Sequence, residues 1–397
     1  MKCIKDVNFK GKRVLVRVDF NVKLDDRKNI TDDFRIRETL PTIKKLIGDG
    51  ARVVIMSHSG RPKKGGFEEE FSLIYVAKHL SNLLGKDVVF TQELLGDNVT
   101  NLVNGLKDGD VMLLENIRFY PEETKGDEAF AQRLAKLGDC YVNDAFGAAH
   151  RSHVSTAVIA KYFPNDKYFG FLMEHEVINL QRLMQNPQKP FTSVIGGAKI
   201  SSKISVLQSL LNISDNLLIG GGMVFAFLKA QGKQIGKSLC EDDCLQVATD
   251  LMTKAKEKGV KIYLPIDVVV ADKFANDANR KVVDIDNMPP DWLGMDIGEK
   301  TAAMYNEVIL NSKTILWNGP MGVFEMSNFM QGTKSVAEAT AEATDKGAFS
   351  TIGGGDSVAA INLFNLSKRV SYISTGGGAM LEYLENGTLP GIEAILN

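Results

Sequence analysis

The chain has 397 residues, 44% hydrophobic and 24% charged, a composition that fits a globular protein of about two domains and excludes collagen, coiled coil and disorder. Lys and Arg number 47 against 49 Asp and Glu, a net charge of −2, so no overall field draws the chain to nucleic acid or an anionic membrane. Four cysteines (Cys3, Cys140, Cys240, Cys244), no apolar core of signal length at the start and no long apolar run predict a soluble, cytoplasmic protein.

In chain order, short β-branched runs alternate with amphipathic stretches. Strands are expected at 12–18, 51–57, 110–114 and 140–143, and helices at 34–48, 71–85, 127–138 and 174–186. The prolines of NPQKP (186–190) break the pattern, and a second series follows. It has strands at 191–197, 216–221, 261–266, 314–319, 348–354 and 371–377, with helices at 201–212, 244–258, 328–346 and 356–366. Strand–helix alternation predicts doubly wound parallel sheets, whose ligands sit at the carboxyl ends of the strands. The expected division is a first domain over 1–173, a joining helix and hinge over 174–190, and a second domain over 191–378.

The average charge hides an asymmetry. Of 13 arginines, 11 lie at or before Arg182, as do all five histidines. The triplets Gly220–Gly222, Gly353–Gly355 and Gly376–Gly378 all come later. Arginine and imidazole grip anions through side chains; glycine turns expose backbone N–H groups to phosphate at helix starts. In the first series Arg17, Asp19, Phe20 and Asn21 close one strand, and His58, Ser59, Gly60 and Arg61 the next. Arg118 closes a third, Arg151 follows a fourth, and Arg35 opens a helix. In the second, Gly197, Ala198, Lys199 and Lys203 follow a strand, the lysines one helical turn apart. Asn318 and Pro320 follow another, and Gly353, Gly354, Gly355, Asp356 and Ser357 a third, where Asp356 is placed to hold magnesium or merely to cap the helix. No G-x-G-x-x-G fingerprint occurs, Gly232–Ser238 is one residue short of a phosphate-binding loop, and Cys240 and Cys244 lack companions for zinc.

These stretches, RVDFNV (17–22), SHSGRP (57–62), LLENIRF (113–119), VNDAFGAAHR (142–151), GGAKISSK (196–203), WNGPMGVFE (317–325), GGGDS (353–357) and STGGGAMLE (374–382), resemble in order the signatures of the phosphoglycerate kinase family. Lys23, Ser59 and Ser357 stand where that family usually has Pro, Leu and Thr. The resemblance implies two α/β domains. The first would bind 3-phosphoglycerate or 1,3-bisphosphoglycerate through Asp19, Phe20, Asn21, Arg35, His58, Ser59, Gly60, Arg61, Arg118 and Arg151. The second would bind magnesium-bound ATP or ADP. Its contacts would be Gly197, Ala198, Lys199, Lys203, Gly221, Gly294, Asn318, Pro320, Glu325 at the ribose, and the 353–357 turn with Asp356 at magnesium. Arg35, Lys199, Lys203, Gly354 and Gly377 would carry the transfer. The resemblance also implies a monomer, hinge-bending closure, and a last segment, 379–397, returning to the first domain. A dehydrogenase of a phosphorylated acid and a nucleotide-responsive scaffold remain the competing classes.

Overall fold

In RVLVRV every residue after Arg13 is buried, the pattern of a strand covered on both faces. In the computed structural model, which describes residues 2–397, this strand (β1, Arg13–Val18) is central to a parallel sheet. Its companions are β2 (Arg52–Met56), β3 (Val88–Phe90), β4 (Val111–Leu113), β5 (Cys140–Asp144) and β6 (Lys167–Phe169), in the order β3-β4-β2-β1-β5-β6. β1 pairs in register with β2 on one side and β5 on the other. Val14, Val16, Ile36, Ile43 and Val53 pack into one core between sheet and helices. All the carboxyl ends therefore open at one rim, where Asp19, His58, Arg118 and Arg151 lie just beyond their strands.

The chain divides into two compact units, one running up to Ile178 and resumed at Thr388–Asn397, the other spanning Asn179–Gly387. The division falls inside the helix Phe171–Gln185. In the first unit the final helix, Pro390–Leu396, buries Ile392 and Ile395, and Gly391 N–H donates to the Ala149 carbonyl at 2.8 Å. Residues 379–387 belong to the second unit, because Met380 and Tyr383 are buried there and Met380 lies against Gly353.

The second unit holds a six-stranded parallel sheet: β7 (Phe191–Ile195), β8 (Asn216–Ile219), β9 (Lys261–Tyr263), β13 (Thr314–Asn318), β14 (Phe349–Gly353) and β15 (Tyr372–Ile373), ordered β15-β14-β13-β7-β8-β9. Trp317, Ile315, Val194 and Ile352 fill its core. The two parallel sheets are the expected α/β architecture. A three-stranded antiparallel sheet, β11-β10-β12, is additional: β10 (Asp267–Ala271), β11 (Arg280–Asp284) and β12 (Leu293–Ile297). No helix among the described residues is long and apolar enough to cross a membrane.

Candidate active site: a cationic pocket and an apolar cavity

At the rim of the first sheet Asp19, Asn21, Arg35, His58, Gly60, Arg61, Arg118 and Arg151 line one cavity of about 890 Å³. Lys63, Lys64, His150 and His153 join them. Asp19 is the one carboxylate among the lining residues. Arg35 is 3.3 Å from it and 3.2 Å from the Asn21 carbonyl. Burial pushes Asp19 up, but the positive charges around it, Arg35 and Arg17 among them, outweigh it and hold the carboxyl below its usual range. Arg118 donates to the Gly60 carbonyl at 2.8 Å, while its buried Nε has no partner among the described residues. Burial, reinforced by Arg17, lowers Arg118 to about 10, and burial, reinforced by Arg118, lowers His153 to about 4. Among the described residues, the side chains of Arg61, Lys63, Lys64 and Arg151 meet no carboxylate within ion-pair distance. So many cations converging with so little compensation repel one another. A compact polyanion is the ligand that relieves this.

Two expected residues stand apart from this cavity. The Phe20 side chain is fully buried in the core, and its N–H donates to Ser57 Oγ at 2.8 Å. Ser59 offers its carbonyl to Asn116 Nδ2 at 2.7 Å and does not line the cavity. Both support the loop that presents Asn21, His58 and Gly60. Asn21 Oδ1 in turn accepts from Gly60 N–H at 2.8 Å.

The second unit has a narrower cavity of about 320 Å³ at its own strand ends. Gly197, Ala198, Gly221, Gly294, Pro320, Glu325 and Asp356 line it. Leu239, Phe225, Leu293, Met295 and Val323 give the rest of the wall an apolar character suited to a planar base. Leu293 and Met295 come from β12, so part of this wall rests on the antiparallel sheet that the sequence pattern did not show. The apolar members carry no motif signal, because a lining leucine and a core leucine look alike in sequence.

Lys199, Lys203, Asn318, Gly353, Gly354, Gly355 and Ser357 do not line this cavity; several of them form a connected turn system. Lys203 Nζ donates to Asn318 Oδ1 and, at 3.2 Å, to its carbonyl. Asn318 Nδ2 donates to the Gly353 carbonyl at 2.8 Å. Burial pulls Lys203 down to about 8, against the opposing pull of Asp356. Gly354 precedes the helix Gly355–Leu363 with φ +94°, a conformation costly for any other residue. Its N–H-rich turn is the arrangement that receives phosphate at a helix start. Ser357 departs from the sequence expectation of a hydroxyl facing phosphate: it is fully buried and its Oγ accepts from Gly319 N–H at 2.6 Å, which pins the β13 and β14 turns together. Lys199 is exposed, and Gly377 abuts Gly354.

A family model described as phosphoglycerate kinase matches residues 4–387. The chain is 51% identical to the phosphoglycerate kinase of Porphyromonas gingivalis, with 99% of both chains covered. It is 53% identical to phosphoglycerate kinase 3, cytosolic, of Arabidopsis thaliana, covering 99% of this chain and 97% of the other. Among solved structures, the phosphoglycerate kinase of Coxiella burnetii superimposes with a TM-score of 0.89 at 43% identity, over 99% of this chain and 98% of that one. The enzyme of Pyrococcus horikoshii does so at 0.86 and 33% identity, over 100% and 98%.

Proposed function

The chain belongs to the phosphoglycerate kinase family, and we propose that its cationic pocket takes the phosphoglycerate while its glycine-walled cavity takes the nucleotide. The activity is that of the family: phosphoryl transfer between 1,3-bisphosphoglycerate and ADP, giving 3-phosphoglycerate and ATP, a step of glycolysis. What carries the assignment of pockets is the cluster of cations without carboxylate partners at the rim of the first sheet. It matches a small molecule bearing a phosphate and a carboxylate, and an adenine ring would find no apolar wall there.

In this reading His58, Arg61, Arg118 and Arg151 hold the phosphate that does not react. Asp19 and Asn21 orient the hydroxyl-bearing carbon, and Arg35 faces the reacting carboxyl group. Glu325 meets the ribose, and the 353–357 turn meets the phosphates. A carboxylate is ionised at neutral pH, so the acceptor needs no general base. Catalysis then depends on placement and on charge neutralisation around the moving group. Lys203, Arg35 and the N–H groups of the Gly354 and Gly377 turns supply that neutralisation. Lys199, exposed and one helical turn before Lys203, keeps its place among the residues that carry the transfer.

Asp356 would hold magnesium against the nucleotide phosphates, where the ion would supply positive charge. Asp356, an exposed carboxylate on the cavity wall at the start of a helix, fits the habit of magnesium of using one or two carboxylates plus substrate oxygens. Transfer also requires carboxylate and nucleotide to come within bonding reach, so closure by hinge bending belongs to the same proposal, as do a cytoplasmic location and a monomeric state. A coupled assay with 3-phosphoglycerate and magnesium ATP tests the pockets through variants: Arg61→Ala should raise the KM for phosphoglycerate and leave that for ATP. Small-angle scattering tests closure, which predicts compaction only with both substrates bound.

A further inference from the structure

Behind the cationic pocket lies a row of polar groups sealed from solvent. Arg17, on the central strand β1, and Glu123 are both fully buried. Arg17 Nε donates to Ser155 Oγ at 2.7 Å, Nη1 donates to the Val18 carbonyl, and Nη2 lies 3.0 Å from His58 Nδ1. Ser155 passes the connection on: its Oγ donates to Glu123 Oε1 at 2.6 Å and its N–H to Oε2 at 2.9 Å. The guanidinium is thus held by its neighbours on three sides. Arg17 does not line the pocket, and His58 does.

A guanidinium has five donors, no acceptor, and keeps its proton at any relevant pH. The imidazole nitrogen facing it must therefore accept. Asp19 Oδ1, the acceptor that would favour a proton on His58 Nδ1, is 4.0 Å away, beyond hydrogen-bonding reach. With Nδ1 accepting, the proton of the neutral ring sits on Nε2, the only N–H it can offer a ligand.

We propose that Arg17 is a positioning residue that locks His58 as the neutral Nε2–H tautomer, so that the ring donates a hydrogen bond to the phosphate end of phosphoglycerate without adding a charge. The inference rests on the pocket assignment above. The surroundings of His58 agree with it: burial, with Arg17, Arg118 and Arg35, disfavours the imidazolium, and Asp19 alone opposes them. A neutral donor keeps the phosphate grip constant through the physiological pH range, where an ordinary histidine would change charge.

Two measurements test this. Long-range ¹H–¹⁵N correlation on histidine-labelled, ligand-free protein near neutral pH reads the tautomer of each ring, with His58 assigned by its loss in His58→Gln. A protonated Nε2 with a bare Nδ1 is expected; an Nδ1–H ring or an imidazolium overturns the proposal. The tautomer itself is read on the unaltered protein, so this arm does not need Arg17→Met to fold. The second compares the phosphoglycerate KM of Arg17→Met with that of the unaltered enzyme. The ratio should be about tenfold at high pH, the equivalent of one charge-assisted hydrogen bond. It should shrink as the pH falls below the ordinary histidine range, because an unlocked ring that protonates presents Nε2–H in any case. A ratio equal at both ends of the range is what a purely structural arginine gives, and contradicts the proposal. If the spectrum shows the expected tautomer but His58→Gln leaves the phosphoglycerate KM unchanged, the pocket assignment fails and the Arg17 contact survives.

Discussion

The backbone of Gly377 lies directly against that of Gly354: a Cβ on Gly377 would fall 2.5 Å from the Gly354 Cα. Backbone cannot yield as a flexible side chain does, so Gly377→Ala must displace the Gly354 turn. If that turn stabilises the moving phosphoryl group, kcat falls by about 10²-fold, the loss typical of one electrostatic donor. Its neighbour Gly378 has nothing within 4 Å of an added Cβ. Gly378→Ala should therefore keep near-normal turnover, and equal losses in the two variants would contradict this assignment.

Lys203 carries the clearest pH signature. Burial lowers it to about 8, so its charge is present below that pH and lost as pH rises through it. The kcat should fall above pH 8, where an ordinary lysine would remain charged. Lys203→Arg, charged throughout, should remove this alkaline fall. Lys203→Ala should lower kcat by about 10²- to 10³-fold. Steady-state kinetics across pH checks both, and a raised KM with normal kcat would remove Lys203 from the transition state.

Asp144 predicts a stability effect apart from catalysis. It is fully buried, its Oδ1 accepts from Met173 N–H at 3.1 Å, and its Oδ2 has no hydrogen-bond partner among the described residues. Burial raises it to about 7. The folded protein therefore holds a proton that the unfolded chain releases near pH 4. The stability this contributes is full below that pH and is lost as pH rises toward 7. Asp144→Asn should flatten that decline and raise the melting temperature at pH 8 by at least ~2 °C. Thermal melts from pH 5 to pH 8 check it; an unchanged slope would contradict the raised value.

Much of this was legible in the chain because strand ends carry the chemistry. The apolar runs ending in Asp19, His58, Arg118 and Asn318 announced both the parallel sheets and the rims where ligands bind. The strands that left no signal have physical reasons. β3 and β6, three residues each, are the two edge strands of their sheet, and β3 is only half-buried, so neither shows the fully apolar run of a central strand. β11 is almost wholly exposed and polar, so it lacks an alternation to read. With it went the antiparallel sheet, and hence part of the apolar side of the second unit's cavity. Phe20 and Ser357 show a different limit: their neighbours in sequence face the ligand side, while burial turns their own side chains inward. Arg17 looked like one more pocket arginine, and only the fold shows that it reaches His58 from behind.

The central claim is that each unit holds one substrate. Isothermal titration calorimetry on Arg61→Ala and Glu325→Ala, each with 3-phosphoglycerate and with magnesium ADP, tests it most directly. The account predicts a crossed pattern: Arg61→Ala weakens phosphoglycerate by about tenfold or more and leaves the nucleotide unchanged, and Glu325→Ala does the reverse. Loss of both ligands in either variant, or of the wrong one, would contradict it.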